Sequence, residues 1–252
     1  MNKKAKKKGR YNGIDFVAGL AMLFIMFFHF AYDLKFIFKR DINFFPSQWM
    51  EYGRLVAVFL FMSISGMTLH FSNRYIFKII KLSVVAVAIS LLTYLFMPDE
   101  FIVFGIIHFF AFGTLIMVFL ELILKYINGY LGFILSMFGF YVFWPVTSGY
   151  LNWPTGAIRL PQKLYELKYL FFLGFPGENF SSADYYPILP WIFLLIGGYF
   201  LGKIFLSFNP EKKKKSYDPI TFIGRNRLFF YIIHQPIIYV ALSYYFNGGI
   251  EI

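Results

Sequence analysis

The chain has 252 residues, of which 59% are hydrophobic, 23% aromatic and 15% charged, and its mean hydropathy is +0.61. A soluble globular domain averages about 45–50% apolar and 25% charged residues, so the composition argues against a soluble fold and for a mostly helical integral membrane protein. The net charge of +11 then belongs to Lys and Arg at helix ends, facing anionic lipid, and not to a nucleic-acid partner; the absence of cysteine removes disulfides and Cys-based catalysis or metal sites.

Residues 1–13, MNKKAKKKGRYNG, read as a basic cytoplasmic arm that sets topology, with Arg10 as a phosphate contact. The stretch 14–34 is apolar for about twenty residues, enough to cross a bilayer core of about 30 Å. It carries His29 and Asp33, four apart and so on one helix face. It is longer than a signal-peptide core and no small-x-small cleavage site follows it, so it reads as a retained first helix. A histidine and a carboxylate are costly in hydrocarbon and mark a protein interior or a water-filled cavity. This pair is the first candidate for chemistry.

A polar-aromatic loop at 35–51 leads to a second helix at 52–72, with Arg54 near its start and the small residues Ser63, Ser65 and Gly66. A third helix, 76–97, starts with Lys78 and Lys81 and ends at the turn signal Met97-Pro98-Asp99-Glu100. The fourth, 101–125, carries His108. The fifth, 130–145, follows the Asn128-Gly129 turn. The long segment 146–186 is too interrupted by proline and glycine to span. Its apolar run of about twelve residues, 164–175, predicts an interfacial or re-entrant helix. The sixth helix, 187–208, opens near Asp184 and contains Gly198-x-x-x-Gly202, a helix-packing signal that also suits a homodimer contact. After a lysine cluster, the last helix at 220–246 carries Arg225, Arg227, His234, Gln235 and Pro236. The expected fold is an all-α polytopic bundle: about seven spans, a short interfacial helix, and a single transmembrane domain over 14–252.

With the N-terminus inside, most of the 24 Lys and Arg fall on inner segments, as the positive-inside rule requires. The chain is then a multi-pass plasma-membrane protein with its C-terminus outside. His29, Asp33, Arg54, His108 and Asp184 collect near the outer ends of their helices. Arg10, Arg74, Lys78, Arg225 and Arg227 collect inside, and His234 lies near mid-membrane. One side is suited to acid–base chemistry and the other to holding phosphates.

Five segments carry a family resemblance: MFFHFAYDL around His29, FLFMSISGMTL, FIVFGIIHFF, DYYPILPWIFLLIGGYFLGK and IGRNRLFFYIIHQPII. Together and in this order, the chain resembles the heparan-α-glucosaminide N-acetyltransferase catalytic-domain family, over nearly its whole length. One departure is plain. Ala18 stands eleven positions before His29, where the family usually has arginine. Either another cation takes that role, or this copy is impaired, or the residue was changed.

The resemblance implies acetyl transfer from cytosolic acetyl-CoA to an amino sugar or glycan acceptor outside. His29 would be general base or nucleophile, Asp33 its orienting carboxylate, and His108 a ligand for the thioester oxygen or the acceptor. Arg10, Arg74, Lys78, Arg225, Arg227 and His234 would hold the CoA, and Arg54, Asp184 and Trp191 would bind the acceptor. No metal is expected. A proton-coupled carrier using the His and Asp residues, and a non-catalytic membrane scaffold, remain as alternatives.

Overall fold

The computed structural model describes residues 11–71, 74–214 and 216–248. Among them, seven helices are long and apolar enough to cross a membrane, as the hydropathy pattern predicts. They are α1 (Asn12–Tyr32, continued by a π turn at Asp33–Ile37), α2 (Gln48–Met67), α3 (Tyr75–Phe96), α4 (Ile106–Leu124), α5 (Gly129–Phe143), α7 (Ile188–Ser207) and α9 (Arg227–Asn247). The shorter elements are β1 (Tyr150–Trp153), β2 (Gly156–Arg159), α6 (Lys163–Glu166) and α8 (Pro219–Arg225).

The second helix begins at Gln48, four residues earlier than expected, and three further differences each have a local reason. The fourth helix begins at Ile106, five residues late, because Gly105 is extended and the Asp184 carboxylate accepts from the Ile106 N–H (2.9 Å). The run 164–175 is not one helix. A four-residue α6 gives way to a 3-10 turn at Lys168–Leu173, closed by left-handed Gly174 (φ +119°). The last predicted helix is two, α8 and α9, separated at Asn226. In addition, β1 and β2 form an antiparallel hairpin in the long segment, with Tyr150 opposite Arg159.

Helix ends are closed by side chains. Asn128 caps α5 by accepting from the N–H groups of Tyr130 (2.9 Å) and Leu131 (3.3 Å). Lys203 Nζ donates to the carbonyls of Lys125 (2.8 Å) and Ile127 (2.5 Å), just beyond α4, a cation where the helix dipole favours one. Asp218 caps α8, accepting from the Thr221 N–H at 2.9 Å, and Pro219 follows at the first helical position, where its missing N–H costs nothing.

The helices group into two units. The first comprises residues up to 64 together with those from 208 onward, and holds α1, most of α2, α8 and α9. In it α1 packs on α8 and α9. The α1–α8 contact is backbone against backbone: a Cβ on Gly19 would sit 2.0 Å from the Ile220 carbonyl oxygen, and one on Gly224 would sit 1.8 Å from that of Asp15. Only glycine permits this approach. The second unit, residues 65–207, is built on α7 against α5 and α4, with α3 beside α4. There α3 keeps most of its apolar side chains exposed, Val84 at 64% and Leu92 at 55% among them, as a lipid-facing helix does. Gly198 and Gly202 are buried; a Cβ on Gly202 would meet His70 at 2.5 Å, so this motif packs within its own unit.

Candidate active site

One face of α1 carries Asp15, His29 and Asp33. Asp15, Ala18, Met22 and Ile25 are buried along it, His29 is half-buried, and Asp33 is fully buried. The spacings of three and four residues keep them in one stripe. Asp33 lies where α1 becomes a π turn, a distortion often found at functional sites.

The α9 helix faces this stripe. The rings of His29 and His234 lie 5.0 Å apart between centroids, tilted by 58°. The next residue, Gln235, donates its amide Nε2 to both carboxylate oxygens of Asp33, at 2.8 and 3.0 Å. Adjacent residues of α9 thus meet residues one helical turn apart on α1. Gln235 was visible in the sequence as an amide in an apolar helix, but nothing local pointed to Asp33 as its partner.

The tautomer of His234 follows from its partners. Nδ1 lies 2.8 Å from the Tyr231 carbonyl oxygen and 3.2 Å from that of Phe230. Carbonyls only accept, so Nδ1 carries the hydrogen and Nε2 holds a lone pair. That Nε2 is buried and has no hydrogen-bond partner; Gln235 Oε1 is in the same condition. His29 differs: among the described residues no hydrogen bond fixes its ring. Phe28 packs edge-on against it at 6.0 Å, and the Arg54 guanidinium lies 5.8 Å from the Phe28 ring while bonding Glu51 at 2.9 Å through Nε.

Further toward the α1 N-terminus, Arg225 Nε lies 3.9 Å from the Asp15 carboxylate, with both side chains buried, and its Nη2 donates to the Ser216 carbonyl. Its Nε has no hydrogen-bond acceptor. Arg227 Nη1 reaches the Gly224 carbonyl at 3.4 Å, and its guanidinium lies 5.9 Å from the Phe61 ring. Arg10 falls outside the described residues.

The remaining predicted residues belong to the second unit. His108 Nδ1 accepts from the Gly105 N–H at 3.2 Å, and its Nε2–H donates to Ser90 Oγ at 3.1 Å; that hydroxyl donates on to the Ile102 carbonyl at 2.6 Å. Both ring nitrogens are therefore engaged in closing the start of α4. Asp184 serves the same end, and Ser182 Oγ ties the segments together by accepting from Val103 N–H (3.1 Å) and donating to the Asp184 carbonyl (2.8 Å). Trp191 packs among Tyr186, Phe140 and Trp144, with ring centroids 5.0 to 5.8 Å away. Arg74 precedes α3, and Lys78 lies in its first turn. Among the described residues, no group of three or more His, Asp or Glu could hold a metal ion.

The family model described as "Heparan-alpha-glucosaminide N-acetyltransferase, catalytic" matches residues 10–236. The chain belongs to this family. It is accordingly a membrane protein of acetyltransferase type, and the match runs from the basic arm to the proline of α9. Neither the curated proteins nor the solved structures contain a match.

Proposed function

We propose that the protein transfers an acetyl group from cytosolic acetyl-CoA to an amino sugar or glycan hydroxyl on the outer side of the plasma membrane, with the N-terminus cytoplasmic and the C-terminus outside. The observation that carries this reading is the packing of the His29 ring against His234 on the polar face of α1, in a chain of this family. A neutral imidazole offers a ring nitrogen that can take a proton or attack a carbonyl carbon, which suits general-base or nucleophilic work. His29 takes the role of nucleophile or base. Asp33, fixed by Gln235, supplies a buried negative charge one turn away that favours a transient imidazolium.

The donor's phosphates need cations. Arg225 and Arg227 come from the same unit as His29, and arginine's planar fork suits phosphate oxygens. The buried Arg225 Nε, a donor without an acceptor, fits such an oxygen.

The test is acetyl-CoA binding and consumption by the purified detergent-solubilised chain, beside His29→Ala. Binding by both, with turnover only in the unsubstituted protein, is expected. Absence of acetyl-CoA binding by the unsubstituted protein would overturn the reading. Solute uptake into vesicles without acetyl-CoA would replace it with a carrier.

A further inference from the structure

Two neighbouring acceptors on α9, His234 Nε2 and Gln235 Oε1, are buried without a donor. Buried polar atoms are rarely left so. The proline of α9 does not account for them. Pro236 lacks the N–H that would have reached the Ile232 carbonyl, so it adds an acceptor to the neighbourhood and no donor. The partners of each side chain fix which atom is left over. Gln235 must turn its NH2 toward the Asp33 carboxylate, which leaves Oε1 as the remaining atom, and His234 must place its hydrogen on Nδ1 to satisfy Tyr231. Both atoms call for a ligand that brings N–H or O–H groups.

The histidines of the pair are not equivalent. His234 is 4% exposed, is held in one tautomer by the backbone of its own helix, and presents a lone pair. His29, half-buried, has no hydrogen bond fixing its ring among the described residues. A base oriented by a third group through its other nitrogen is the arrangement that activates nucleophiles in group-transfer enzymes. His234 has it and His29 does not.

We propose, resting on the acyltransferase reading above, that His234 is a second catalytic residue and the general base toward the acceptor. Its Nε2 takes the proton from the acceptor's N–H or O–H. The acceptor's lone pair forms the new C–N or C–O bond to the thioester carbonyl carbon. The C–S bond breaks, its electron pair leaves on sulfur, and the imidazolium returns the proton to that thiolate. Gln235 Oε1 accepts from a second hydrogen of the acceptor and orients it. On this assignment the base role passes to His234, and His29 is left to act on the thioester.

The experiment uses the full chain in detergent with acetyl-CoA as donor and glucosamine or water as probe acceptor. His234→Asn keeps an amide N–H near the Nδ1 position, and His234→Gln places one near Nε2; neither offers a base. For both variants kcat should fall about 10²–10⁴-fold, the span of general-base contributions, with the Kd for acetyl-CoA changed less than about threefold. Nitrogen-15 histidine spectra of the unsubstituted protein should contain an Nδ1-protonated neutral imidazole that is missing from His234→Asn. An unchanged kcat with a raised Kd would overturn the proposal and make His234 a donor-holding residue. An Nε2-protonated His234 would overturn it as well. Failure of the unsubstituted protein to bind or consume acetyl-CoA removes the acyltransferase reading itself, a result distinct from normal turnover surviving in His234→Asn. Retained acetyl-CoA binding by the variants shows that they are folded.

Discussion

His108 and His234 are both histidines in apolar helices, one in each unit, and their surroundings are opposite. In the second unit, His108 has both ring nitrogens committed, and Ser90, Ser182 and Asp184 complete a closed set of hydrogen bonds around the start of α4. In the first unit, His234 Nε2, Gln235 Oε1 and Arg225 Nε are buried without a hydrogen-bond partner, Arg225 having only the longer ion-pair contact with Asp15 at 3.9 Å. The second unit is not free of such atoms, since Thr114 Oγ1 is also unpartnered, but that is one neutral hydroxyl and not a base, an acceptor and a cation. A satisfied network fixes a helix terminus; an unsatisfied one beside a second imidazole is prepared for a ligand. Residue type alone does not separate the two cases.

The contrast is broken most directly by exchanging which histidine is lost. His29→Ala should lower acetyl-CoA turnover by about 10²–10⁴-fold in folded protein. His108→Ala should instead cost about 1–3 kcal/mol of stability by leaving Ser90 and the Gly105 N–H without their partner, and spare the turnover of what remains folded. Rates and thermal unfolding of both variants decide it. If His108→Ala abolishes turnover with stability intact, the division between the units fails.

The next largest effect concerns Ala18. It is fully buried and one turn from Asp15, which already holds Arg225. An arginine placed there by Ala18→Arg adds a long charged side chain to a packed position. We expect about 3–5 kcal/mol of destabilisation, the usual consequence of an uncompensated buried charge, read as a fall in the detergent melting temperature. A gain in turnover without loss of stability would instead reveal room for a second cation beside Arg225.

Gly224→Ala sharpens the comparison for the first unit's packing. The new Cβ would press on the Asp15 carbonyl and push α8 from α1, at about 1–3 kcal/mol. Because Arg225 is the next residue, acetyl-CoA affinity should weaken with it. Gly13→Ala, with nothing within 4 Å of its Cβ, is the matched control and should leave both unchanged in unfolding and binding assays.

The smallest effect is a pH dependence at the α8 cap. Hydrogen bonds from Ser216 and Thr221 lower the Asp218 carboxyl from 3.8 to about 2. A group whose folded pKa lies below its unfolded one stabilises the fold above the unfolded value and loses that contribution as pH falls through the folded one. The melting temperatures of the unsubstituted protein and Asp218→Ala should therefore differ at pH 5, and the difference should narrow from pH 3.8 down to about 2. A gap that persists at the acid end would show that the cap does not act through its charge.

The sequence determined the number of spans, their approximate limits, the shared face of His29 and Asp33, and the family. All of these depend on local quantities: hydropathy over about twenty residues, a 3.6-residue period, and motifs read in order. It could not place the start of α4, because the signal there is the Asp184 carboxylate, 78 residues from the N–H it caps. Nor could it separate His108 from His234, or find the partner of Gln235. The Asp33–Gln235 bond joins residues 202 positions apart, and the His29–His234 contact comes from the same packing of α9 on α1. Local periodicity says which face of each helix carries a polar group. Which faces meet, and so which of those groups are satisfied, is decided only when the helices pack.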